Sequence, residues 1–233
     1  MRLSHWSIAF LAPLAVACSQ ADTVAEPTQG ASPSATSPER KEVAGPERHI
    51  LAFGDSLFAG YGVGLTHSYP TKLEYALRDK GINAVVTNAA VSGETSAAGA
   101  RRFAFALDAQ EVKPDLVMLE LGGNDMLRGL QPAETRANFK QMLEEAKKRG
   151  IHVLLMGMRA PPNYGPEYQT EFDALYGDLA KEYGANIVPF WLEAIYDKPN
   201  LFQQDRIHPT IEGIDLLVAD TVDEVQAALP QVD

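Results

Sequence analysis

The sequence predicts a three-layer α/β/α sandwich around a five-stranded parallel sheet, and three observations support this. Short apolar runs recur at residues 50–53, 84–87, 116–121, 153–157 and 186–190. Amphipathic helical patterns lie between them, and alternating strands and helices bury a parallel sheet on both faces, in the flavodoxin-like manner. The composition, 45% hydrophobic and 22% charged over 233 residues, suits one sizeable core.

The amino-terminal part stands apart from that alternation. Arg2 is the one lysine or arginine in residues 1–17, residues 8–17 are apolar, and Ala15-Val16-Ala17 has the small side chains of a cleavage site, so 1–17 is expected to be a secretory signal peptide. The run is far shorter than the roughly 20 apolar residues that span a bilayer. Leu14-Ala15-Val16-Ala17-Cys18 resembles a bacterial lipobox, which implies lipidation of Cys18, with ordinary signal cleavage and a free cysteine as the alternative. Ser19 after the cysteine, by the same resemblance, favours the outer membrane. Residues 18–46 are rich in Ser, Pro, Thr, Ala and Glu without apolar periodicity, and are expected to be a disordered tether. The folded domain is assigned to 47–233. The implied location is periplasmic or outer-membrane-anchored, with a membrane tether through Cys18. Cys18 is the only cysteine, so no internal disulfide forms. A net charge of −11 with no basic run excludes nucleic acid as a partner, because a polyanion needs a cationic footprint.

Within the domain, the first strand ends abruptly in Gly54-Asp55-Ser56-Leu57, which delivers a hydroxyl at the carboxyl end of a buried strand. Ligands of open parallel sheets bind at that end, and the commonest order of five such strands puts the switch point between the first and third. Tyr69, Leu73 and Leu77 line a helix that ends at Gly81. The second strand leads into Ser92-Gly93-Glu94-Thr95 and the third into Gly122-Gly123-Asn124-Asp125. Phe139, Met142, Leu143 and Ala146 follow helical spacing up to Gly150, and Phe172, Leu175, Tyr176, Leu179 and Tyr183 do so up to Gly184. Asp205-Arg206-Ile207-His208-Pro209 lies after the fifth strand. Ile211, Ile214, Val218, Val222 and Val225 line the last helix.

Acyl transfer by serine needs a base, a carboxylate that fixes the base's tautomer, and donors for an oxyanion. Ser56, His208 and Asp205 are residues of those types, with a three-residue step that lets the carboxylate reach the imidazole. His5 falls in the signal peptide, and His49, His67 and His152 read as structural or solvated. Each segment also has a plainer reading: turn glycines, a helix cap, a helix start. Their succession at the ends of consecutive strands is what points to chemistry.

On these four blocks the chain resembles the SGNH, or GDSL-type, serine hydrolases. The resemblance implies that Ser56 is the nucleophile, that Asp205 and His208 are acid and base, and that Ser56 N–H, Gly93 N–H and the Asn124 amide form the oxyanion hole. It also implies an acyl-enzyme mechanism with no metal or organic cofactor. Residues 121–129, Asn163-Tyr164-Gly165 and Val188-Pro189-Phe190 are similar to the bacterial thioesterase I, arylesterase and lysophospholipase group. Met126 departs from that group, where glycine is usual, and is expected to shape substrate binding. The chain has no Gly-x-Ser-x-Gly elbow. The expected activity is hydrolysis of carboxylic ester or thioester bonds of small acyl, aryl or lysophospholipid substrates. Alternatives are a carbohydrate O-acetylesterase and a non-catalytic surface binding module.

Overall fold

The structure, a computed structural model, describes residues 40–231. Five parallel strands form one sheet: β1 (Arg48–Gly54), β2 (Ala84–Asn88), β3 (Leu116–Glu120), β4 (His152–Met156) and β5 (Asn186–Val188), in the order β2-β1-β3-β4-β5. The switch point therefore falls between β1 and β3, the expected place. Ile50 pairs with Leu116 and Gly54 with Glu120, so β1 and β3 end level with one another. Ile50, Leu51, Ala52 and Phe53 are each at most 1% exposed. Burying a side chain the size of Ile, Leu or Phe contributes about 1.5–3 kcal/mol, which is why a short run suffices to fix a central strand.

Among the described residues seven α-helices flank the sheet: α1 (Ser56–Ala59), α2 (Tyr69–Asp79), α3 (Ser96–Asp108), α4 (Gly123–Leu127), α5 (Pro132–Lys148), α6 (Pro166–Tyr183) and α7 (Ile211–Ala228). On one face α2 packs on α7; on the other α5 packs between α3 and α6. The four helices read from apolar periodicity are α2, α5, α6 and α7. Helix α3 was not among them, because Ala97, Ala98, Gly99 and Ala100 dilute its apolar stripe. Gly99 gives the reason for the small residues: a Cβ there would lie 2.5 Å from Leu121 Cδ1, so the helix sits directly on the sheet.

The docked chain also begins earlier than residue 47. Arg78, 4% exposed, donates to the Lys41 carbonyl (2.8 Å) and to Asn83 Oδ1 (2.9 Å), and Arg40 pairs with Glu74 (2.7 Å). Residues 40–46, assigned to the tether by composition, are thus held to α2 and β2 by hydrogen bonds rather than by apolar burial. The signal peptide, Cys18 and the remainder of the tether up to residue 39 lie outside the described residues.

Candidate active site

Ser56 is the first residue of α1, immediately after β1. That single turn is pinned from below by Phe58, which stacks on Tyr69 (ring centroids 5.1 Å, 6°) and meets Trp191 edge-on (5.4 Å). Asp55 caps the turn by accepting Leu57 N–H (3.0 Å). A four-residue helix has little stability of its own. The aromatic cluster and the cap are what hold the serine in place.

His208 comes to Ser56 from the far end of the chain. Asp205 Oδ1 accepts the N–H groups of Ile207 (2.9 Å) and His208 (3.0 Å), closing an Asx-type turn, and Oδ2 accepts His208 Nδ1–H (2.7 Å). Arg206 takes φ = 58°, the only non-glycine residue with positive φ among the described residues. This reversal brings the imidazole back over its own carboxylate, at a conformational cost that L side chains normally avoid. With Nδ1 protonated, Nε2 is the acceptor, and Ser56 Oγ donates to it at 2.9 Å. Tyr61 stacks on the imidazole (4.2 Å, 29°), and Gln203 Nε2 donates to the Tyr61 carbonyl (2.8 Å) while Gln203 N–H donates to that of His208 (2.7 Å). Partial burial pushes the Asp205 carboxyl upward, but hydrogen bonds from Ile207 and His208, with the charge of the ring, outweigh it and hold it at about 2.

Asn124, in α4 at the end of β3, donates through Nδ2 to Asp55 Oδ2 (2.8 Å). An amide carries two N–H groups, so one remains for a ligand. Asp125 beside it is fully buried and accepts Ser96 N–H (2.7 Å), the Ser96 hydroxyl and the Thr135 hydroxyl (3.2 Å). It staples the start of α3 to α4 and α5, and so fixes the loop that holds Gly93 and the short helix that holds Asn124. Gly93 has φ = 78°, and its carbonyl accepts from Arg128 (2.8 Å). Its loop is tied to the end of β1 by Val91 N–H donating to the Gly54 carbonyl (2.9 Å). Among the sequence-derived site residues of the described region, Ser56, Asn124, Met126 and His208 line the cavity described next, whereas Gly93 and Asp205 do not.

A cavity of about 510 Å³ opens onto Ser56, Asn124 and His208. Its far walls are apolar: Met126, Met158, Phe190, Leu192 and Phe202. Leu127 and Tyr196 on its rim are 51% and 57% exposed, apolar surface presented to an incoming ligand. Met126 itself is 7% exposed and forms part of the wall. Tyr61, Gln203 and Asp125 were not assigned roles from sequence, since nothing in spacing reveals a stacking partner or a buried staple. Among the described residues no group of three or more His, Cys, Asp or Glu is placed to hold a metal ion.

The GDSL-like lipase/acylhydrolase family model matches residues 52–216, which contain the whole constellation. The chain belongs to the GDSL-like lipase/acylhydrolases. This family member is 42% identical over 162 residues to Esterase TesA of Pseudomonas aeruginosa, covering 70% of this chain and 80% of the relative. It is 41% identical over 160 residues to Thioesterase 1/protease 1/lysophospholipase L1 of Escherichia coli strain K12, covering 69% and 74%. Among solved structures, the SGNH-hydrolase family esterase AlinE4 shares 57% identity over 81% of this chain and 100% of its own, with a TM-score of 0.68. The GDSL-type chain is therefore an ester hydrolase with the SGNH α/β fold.

Proposed function

We propose that Ser56 is the nucleophile of an esterase that prefers carboxylic esters with an apolar acyl chain longer than acetyl. In the acylation step His208 Nε2 takes the Ser56 proton as Oγ bonds the ester carbonyl carbon. The carbonyl electron pair moves onto oxygen, which is held by the free N–H of Asn124, Ser56 N–H and Gly93 N–H. Collapse of this intermediate breaks the bond to the alcohol, which leaves with the proton from His208. Water then attacks the acyl-enzyme while His208 takes its proton, releasing the acid and returning the proton to Ser56 Oγ.

The observation that carries the acyl preference is the 510 Å³ apolar cavity that opens beside Ser56. Its volume lies in the range of sites that enclose a drug-sized ligand, far more than an acetyl group fills. The test is a series of p-nitrophenyl esters from acetate to dodecanoate, with acetylated xylan and an acyl thioester alongside. Butyrate to octanoate is expected to exceed acetate in kcat/KM by about tenfold or more, since each well-buried methylene contributes about 1–3 kcal/mol of discrimination. Faster turnover of acetylated xylan than of any longer ester would overturn this reading in favour of a carbohydrate deacetylase. In the same series, Met126→Ala is expected to raise the ratio of dodecanoate to butyrate activity about tenfold by deepening the wall.

We further propose that the enzyme works outside the inner membrane, held by lipid on Cys18. The apolar run 8–17 and the small residues before Cys18 support this. Radiolabelled fatty acid is expected to enter the wild-type protein in cells and not Cys18→Ala; an unlabelled wild type would leave ordinary secretion.

A further inference from the structure

Glu120 is a buried carboxyl that the acyl-transfer mechanism does not use. It ends β3, is 0% exposed, and has no salt-bridge partner among the described residues. Its neighbour in register is Gly54, where a Cβ would fall 2.7 Å from Glu120 Oε2, so the glycine before the nucleophile loop is what makes room for this side chain. Asp55 N–H donates to Glu120 Oε2 (3.1 Å), which sets two buried acids side by side. Asp55, 1% exposed, in turn accepts Asn124 Nδ2 (2.8 Å) and Leu57 N–H (3.0 Å). If both carboxyls acted only as acceptors, Glu120 Oε1 would be left buried without a partner.

We propose that Glu120 is a positioning residue for the oxyanion hole, acting through Asp55 to hold the Asn124 carboxamide and the Ser56 turn in their working orientation. This rests on the reading of Asn124 as an oxyanion donor. Two carboxyls in contact and out of water do not both ionise, so the pair carries one proton and one charge. Asp55 accepts two N–H donors and Glu120 only one, so the charge settles on Asp55 and the proton on Glu120, whose carboxyl burial pushes upward. A neutral Glu120 donates to Asp55, and this removes the orphaned acceptor. Asp55 then remains an anion that accepts from Glu120, Leu57 and Asn124, and charge-assisted bonds of this kind are the stronger ones. The amide is thereby committed by one N–H and oriented for the other. The charge that anchors it is already paired before substrate arrives, as a preorganised site requires.

The test compares Glu120→Gln, Glu120→Ala, Asn124→Ala and Glu120→Ala/Asn124→Ala. Glutamine keeps an acceptor for Asp55 N–H and a donor for its carboxylate, so kcat is expected within about threefold of wild type. Glu120→Ala is expected to lower kcat toward the loss seen in Asn124→Ala, about 100-fold, with KM nearly unchanged. The double variant is expected to lose no more than Asn124→Ala alone, because both act on one donor. Losses that multiply in the double variant would overturn the proposal. The infrared carbonyl stretch of a protonated carboxylic acid, present in wild type at neutral pH and absent in Glu120→Gln, decides it even where Glu120→Ala does not fold; no such difference would overturn it. Wild-type activity in Asn124→Ala would instead remove the oxyanion reading, an outcome the infrared measurement does not share.

Discussion

Ser56→Ala is expected to lower kcat toward ester substrates by about a million-fold while leaving KM and the fold nearly unchanged. Loss of the nucleophile in a serine hydrolase costs about that much, because base, orienting carboxylate and nucleophile act as one unit. The structure explains why the fold survives. The Ser56 hydroxyl donates to His208 and to no other described residue, while α1 is held by Phe58 against Tyr69 and Trp191 and by the Asp55 cap. Removing Oγ therefore leaves one acceptor without its donor, Nε2 of the partly accessible imidazole. The cavity walls are untouched, so ground-state binding of the acyl chain is retained, and the loss falls on the chemical step. A fluorophosphonate probe should label the wild type and not the variant. Activity of Ser56→Ala within tenfold of wild type would mean that another group carries the acyl transfer.

The parts of the fold that were legible in the sequence are those where the burial pattern is local. Ile50 to Phe53 and Leu116 to Leu119 are apolar without interruption because both faces of a central parallel strand are covered. Helices α5 and α6 show their stripes because Phe139 and Phe172 are large enough to mark the buried face. Helix α3 is the counter-example: it buries Gly99 and Ala106 as well as Phe103 and Leu107, and small side chains that allow close packing carry little periodic signal. Residues 40–46 read as tether for a related reason, since their anchoring uses backbone carbonyls and side-chain ion pairs that composition does not display.

The site divides in the same way. Ser56, Asn124, Asp205 and His208 stand out because loops at strand ends with glycines and paired polar residues are few, and three of the four line one cavity. Glu120 does not stand out. A glutamate at a strand terminus reads as the point where the chain meets solvent, and only the register of β1 on β3, which places it against Gly54, turns it into a buried acid beside Asp55. Tyr61 against His208 is likewise a contact between segments distant in sequence. The candidate reacting residues were thus visible as types in positions, whereas those that hold them were set by strand order and register.

Asp205→Asn is the second large effect expected, a fall in kcat of about 10³- to 10⁴-fold with the protein still folded. Asparagine retains one oxygen able to accept Ile207 N–H and His208 N–H, so the turn that carries the imidazole is preserved. What changes is the group facing Nδ1. An NH2 in place of Oδ2 is a donor, so Nδ1 must become the acceptor and the ring proton moves to Nε2, where it faces Ser56. That tautomer has no lone pair to take the serine proton. A purely structural role for Asp205 would lower stability and leave a smaller loss in kcat, so the two are separated by measuring both, together with their pH dependence. The folded carboxyl is held at about 2 against an ordinary value of 3.8, so the unfolded chain binds the extra proton first as pH falls. The stabilisation is therefore complete above about pH 4 and is lost on acidification toward pH 2, and the variant, with no group titrating there, should lack that component of the wild-type curve. Wild-type turnover in Asp205→Asn would show that Tyr61 and the backbone turn alone fix the imidazole in its working tautomer.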